Sequence, residues 1–183
     1  MLRSLQIAVL LITLAGGAST AAAQQGEDAV PPVTAPTTMS AMIRNAGYPI
    51  SAEEAAYLDA DEEATDQFVR AMLTAELQAP TINDEFSRQT VLAELQRVAA
   101  LDPGPVSVPA PAALAELNRL AVARRTAMRQ TAQQWLEGLN ANDPNWVARG
   151  SEAYGAARVA ENDWYNLIRQ IITSRPQSAP PSP

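Results

Sequence analysis

Apolar residues return at helical spacing from Met39 to Ile172, with neither a strand-like alternation nor an Asn-Gly hairpin signal. This pattern predicts an all-α chain, a small bundle of about five helices over residues 38–175. A short helix is predicted from Met39 to Ala46, stopped at Gly47. Ser51-Ala52-Glu53-Glu54 reads as a capping box that opens a helix, or a helix pair, running to about Gln78 ahead of Pro80. The third helix spans about Asp84 to Leu101, with Val91, Leu95 and Val98 on one side. Asp102-Pro103-Gly104-Pro105 ends it, and the stretch to Pro111 cannot be helical. A fourth helix runs from near Pro111 to about Leu139, and a fifth from Asp143-Pro144 to about Ser174, before Pro176.

The last two helices carry apolar seams of matching spacing. Leu114, Leu117, Ala121, Arg124, Met128, Thr131 and Trp135 alternate by three and four. Gly150, Tyr154, Ala157, Glu161, Trp164, Ile168 and Ile171 do the same. A link as short as Asn140–Asp143 makes the two antiparallel neighbours, a long αα-hairpin. Facing positions then share a constant sum of residue numbers, 285 here. That register sets Trp135 against Gly150 and Ala121 against Trp164, so large meets small at both indoles, as close packing requires. It also sets Arg124 opposite Glu161, two charges interrupting apolar stripes at one level.

The ends read differently. Arg3, an apolar run from Leu5 to Ala15 and Ala21-Ala22-Ala23 form a signal-peptide pattern over residues 1–23, with cleavage expected after Ala23. The apolar run is too short for a spanning helix, which takes about 20 residues. Residues 24–37 read as a Pro-rich flexible linker, and 176–183 as a disordered Pro-rich tail. The expected location is therefore the periplasm, or the exterior as a secreted protein, with no stable membrane span once the leader is removed.

Composition limits the chemistry. The chain has no Cys and no His, and all 13 of its basic residues are Arg. The usual ligands of zinc, copper, haem and iron–sulfur centres are missing, and so are the Ser-His-Asp, Cys-His and Lys Schiff-base mechanisms. No cofactor is expected. Without the leader the balance is 12 Arg against 20 Asp plus Glu, a net of −8, which disfavours nucleic acid as a partner.

Three features remain as candidates. Arg124, Arg125 and Glu161 read either as a structural ion pair that fixes helix register or as a binding site. In the second reading the arginines grip a carboxylate or phosphate and Glu161 serves as acid or base. The acidic run Asp59, Asp61, Glu62, Glu63, Asp66 lacks the Gly of a calcium loop, since Ala64 holds its sixth position. It reads as a solvated face, or as a helix start capped by Asp59, and Asp61 on the side of Tyr57, Phe68 and Met72 suggests a break there. Ten carboxylates and a single Arg between Ala52 and Glu85 contrast with four Arg and two Glu between Ala112 and Leu139. These helices are either neighbours in the bundle, or the acidic face is turned outward to a basic partner.

The plan of a leader followed by a compact helical domain is similar to that of secreted chorismate mutases. The resemblance touches architecture only, because that family's catalytic set includes a Lys and this chain has none. The function expected from the sequence is an exported interaction or accessory module of the cell envelope. It would bind another envelope protein or itself, through an apolar patch around Met39, Met42 and Ile43. The alternative is a small helical enzyme or anion-binding protein using the Arg/Glu pocket.

Overall fold

A computed structural model describes residues 38–79, 82 and 84–176. The expected leader 1–23, the linker 24–37 and, Pro176 apart, the tail 176–183 lie outside the described residues. Among the described residues the chain is all-helical: α1 (Met39–Asn45), α2 (Ala52–Gln78), α3 (Glu85–Ala100), α4 (Ala115–Asn140), α5 (Trp146–Arg149) and α6 (Ser151–Thr173). No helix among them is long and apolar enough to cross a membrane.

Local chemistry explains the boundaries. The capping box forms in full: Glu54 N donates to Ser51 Oγ at 3.1 Å, and Ser51 N to Glu54 Oε2 at 2.9 Å. Asp84 caps α3, accepting from Ser87 N at 2.8 Å. Gly47 takes φ +80° after α1, the left-handed turn that ends a helix. A single 3-10 turn, Ala112–Leu114, leads into α4.

Two expectations need correction. The helix from Ser51 does not break near Asp61; α2 is continuous, because a partner on α4 takes up that carboxylate. Nor is the fifth helix one rod from Asp143 to Ser174. The chain turns at Asp143–Asn145, forms the four-residue α5, and starts α6 only after Gly150. The cause is packing. Trp146 seats on Gly138, where an added Cβ would lie 2.9 Å from the Trp146 backbone, so the chain doubles back sharply against α4.

Helix α4 is central, packing most extensively on α6 and also on α3, α5 and α2. Its contacts with α6 run in opposite senses along the two helices. Trp135 lies against Gly150, whose Cβ would sit 2.5 Å from the indole Nε1, and Arg124 lies 3.9 Å from Glu161. Trp135 also donates to Val147 O at 2.9 Å, fixing α5.

The core has two parts. One gathers Phe68, Met72, Val91, Leu95, Met128, Trp135 and Trp146 between α2, α3, α4 and α5. The other gathers Met39, Ile43, Tyr57, Leu58, Leu114, Leu117, Trp164 and Ile168. It is covered by α1 and by the extended segment 101–111, from which Val106, Val108 and Ala110 pack inward. Met39 and Ile43 are therefore buried, and the exposed apolar patch expected on the first helix does not exist.

Candidate functional site

Between the two apolar clusters lies a layer of buried polar side chains: Asp61 and Thr65 from α2, Arg124 and Arg125 from α4, and Glu161 from α6. Helical spacing produces it. Along α2 the polar pair falls between Leu58 and Phe68, along α4 between Ala121 and Ala127, and along α6 between Ala157 and Trp164. Three independent stripes are thus interrupted at one level of the bundle.

The two arginines, adjacent in sequence, do different things. Arg125 is fully buried and turns toward α2. Its Nη1 makes a short charged hydrogen bond to Asp61 Oδ1 and reaches Thr65 Oγ1 at 3.2 Å. Its Nη2 donates to Gly104 O at 3.0 Å, and its Nε to Pro103 O at 3.4 Å. Each nitrogen of the guanidinium therefore has a protein acceptor, which is what a buried charge needs to offset its desolvation. Arg124 donates to Thr65 Oγ1 at 2.9 Å, lies near Glu161, and sits 5.4 Å from the centre of the Trp164 ring, a cation–π geometry. Glu161 is shared, with Arg158 Nη1 3.4 Å from its other oxygen.

Of the residues singled out in the sequence, Arg124 and Glu161 come together. Arg125 instead joins Asp61, a residue sequence reasoning had assigned to a helix break or a solvated face. Tyr57, one turn from Asp61, donates to Asn118 Oδ1 at 3.3 Å; burial first, and then the Asp61 charge, pushes its phenol above the ordinary range, so it stays protonated.

Two more carboxylates of the acidic run bind the start of α1. Asp59 lies inside α2 rather than capping it, and accepts from Ser40 N at 3.2 Å and Ser40 Oγ at 2.8 Å. Glu62 accepts from Met39 N at 2.8 Å. Both carboxylates thereby neutralise the amino end of α1 and tie that helix to α2. Among the described residues no group of acidic side chains is arranged to hold a metal ion.

A second charged clamp closes the far end of the molecule. Arg175, just past α6, meets Glu54 through two contacts of 2.5 and 2.9 Å and donates to Pro49 O at 2.9 Å. The Arg175 guanidinium holds the Glu54 carboxyl down at about 2.

Compared with protein-family models, with curated proteins and with solved structures, the chain finds no match.

Proposed function

We propose that the protein is a non-catalytic interaction module of the cell envelope that docks through the end of the α2–α3 pair. One observation carries this reading. Leu77 and Phe86 are 78% and 79% exposed, and they flank the connection between the two helices. Leu77 stands one residue before the end of α2 and Phe86 second in α3, so both lie at the end where the two helices connect. Leu73, one turn back on α2, is exposed too. Apolar side chains grouped on a surface are characteristic of partner sites, whereas scattered ones are not.

The polar layer supports the same reading from the other side. An anion pocket or acid–base site needs donors that are free to meet a ligand. The donors of Arg125 instead meet Asp61, Thr65 and two main-chain carbonyls. Its chemistry is that of a device that sets register.

The test is photocrosslinking in whole cells from a reactive residue placed at Leu77, at Phe86, or at the exposed Gln133 of α4 as a control. Adducts with another envelope protein from 77 and 86, absent from 133, are expected. Adducts with this chain alone, or equal capture from all three positions, would overturn the reading.

A further inference from the structure

The segment 101–111 crosses the α1 half of the core as an extended strap. Its side chains alternate: Val106, Val108 and Ala110 are half-buried on the cluster around Tyr57 and Leu117, whereas Pro105, Ser107 and Pro109 are exposed. An extended, proline-punctuated segment with every second residue inward is how a peptide ligand lies on an apolar surface. The strap is thus a built-in occupant of a surface formed by the helices.

The strap sequence has a near copy elsewhere in the chain. Pro105-Val106-Ser107-Val108-Pro109 is matched by Pro32-Val33-Thr34-Ala35-Pro36, with the same prolines, the same first valine, and two conservative differences. Residues 32–36 lie outside the described residues, but the point where they join the fold is described. Thr38 opens α1, and Met39 is buried in the same apolar cluster that the strap covers. Six extended residues reach about 20 Å. The second copy therefore joins the fold through Thr38, next to the Met39 that packs in the cluster the strap covers.

We infer that the surface under Val106 and Val108 accepts either copy, so that residues 32–36 exchange with the strap within one chain. The bonds that hold the strap allow this. Arg125 grips the carbonyls of Pro103 and Gly104, which are main-chain acceptors that any extended segment in that register supplies. The Ser/Thr difference falls at an outward position and does not discriminate. The Val/Ala difference falls at an inward one, and the two carbons lost at a half-buried site favour the strap by about three- to fivefold. The strap is the resting occupant, and Ala35 is what keeps it so.

This inference is independent of docking at the α2–α3 end, and it is tested separately. The chain has no cysteine, so Thr34→Cys carries a single paramagnetic label. The label is read in the full chain by broadening of the Leu114, Leu117 and Ile168 methyl signals. Adding A35V, which changes no residue of the helices or the strap, is expected to raise the broadening about three- to fivefold, and V33S to abolish it. S107T/V108A, which makes the strap identical to residues 32–36, is expected to raise it as well. The proposal is overturned if A35V and V33S give the same broadening. It is overturned equally if A35V acts but S107T/V108A does not, or if the Val91 and Leu95 methyls respond instead.

Discussion

Where the half of the core around Trp135 is closed by helix backbones in near contact, the half around Tyr57 is closed by a short helix and an extended strap. The first depends on shape: Gly138 and Gly150 make room for Trp146 and Trp135. The second depends on polar bonds. Asp59 and Glu62 hold α1, Arg125 holds the strap, and Arg175 with Glu54 closes the end. Between them lies the charged layer, in which Arg125 has an acceptor for each nitrogen, so that its stabilisation comes from paired charge and not from area. The contrast teaches that one fold can use close packing where helices meet helices, and charge where helices meet irregular chain.

The largest break is expected in the shared layer. Asp61→Leu leaves the Arg125 charge buried without its carboxylate and should cost about 3–5 kcal/mol in urea unfolding, and R125M about the same. The double variant D61L/R125M should recover most of that loss, because no stranded charge remains. A loss below about 1 kcal/mol for D61L would show that the pair does not hold the two halves together. Glu161→Met should cost less, about 1–2 kcal/mol, since Arg124 keeps Thr65 and the Trp164 ring.

Next in size is the glycine contact that defines the Trp135 half. Gly138→Ala drives a methyl to 2.9 Å from the Trp146 backbone, where no side-chain rotation relieves it. A loss of about 2–3 kcal/mol is expected, with altered tryptophan fluorescence as α5 is displaced. Gly150→Ala puts a methyl 2.5 Å from the indole Nε1 of Trp135, which is buried and tied to Val147 O, and a loss of about 2–3 kcal/mol is expected there too. If G138A unfolds no more easily than the parent, the closure of this half by backbone proximity is wrong.

The Tyr57 half should reveal itself through pH instead. The Glu54 carboxyl, held at about 2 against an ordinary 4.5, is more acidic folded than unfolded. Its contribution is therefore complete above about pH 4.5 and is lost as pH falls toward 2. With Arg175 partly exposed, about 1–2 kcal/mol is expected. Arg175→Gln should flatten the dependence between pH 4.5 and 2 and lower stability at neutral pH by that amount. An unchanged acid profile in R175Q would remove the clamp from the account.

These features differ in how plainly the chain spells them. The capping box at Ser51–Glu54 is local, four residues long, and readable as written. The pairing of Arg124 with Glu161 was readable because two stripes of matching spacing meet large against small in one register. Asp61 had no such constraint. Its partner Arg125 is 64 residues away on a helix whose placement against α2 no local signal specifies, so a carboxylate on an apolar side looked like a break. The same blindness hid the burial of Met39 and Ile43. An amphipathic helix shows its apolar face in sequence but not what covers it, and here the cover is a strap and a neighbouring helix. The start of α6 was misplaced for a different reason. Asp-Pro just ahead of an apolar stripe is a sound helix opening, and only the demand of Gly138 for Trp146 turns it into a separate turn of helix.

The smallest expected effect separates outward faces from inward ones on a single helix. Gly155 lies in the interior of α6, five residues from Gly150, yet an added Cβ there meets nothing within 4 Å. In a helix interior glycine costs about 0.5–1 kcal/mol relative to alanine, through backbone freedom lost on folding. Where no neighbour approaches, nothing offsets that cost. Gly155→Ala should therefore stabilise by about 0.5–1 kcal/mol, while Gly150→Ala on the same helix border destabilises. The opposite signs of two identical substitutions, read by urea unfolding, measure how far the α4 contact extends along α6. A destabilising G155A would mean that this face too has a close neighbour, and that α6 is gripped on both sides.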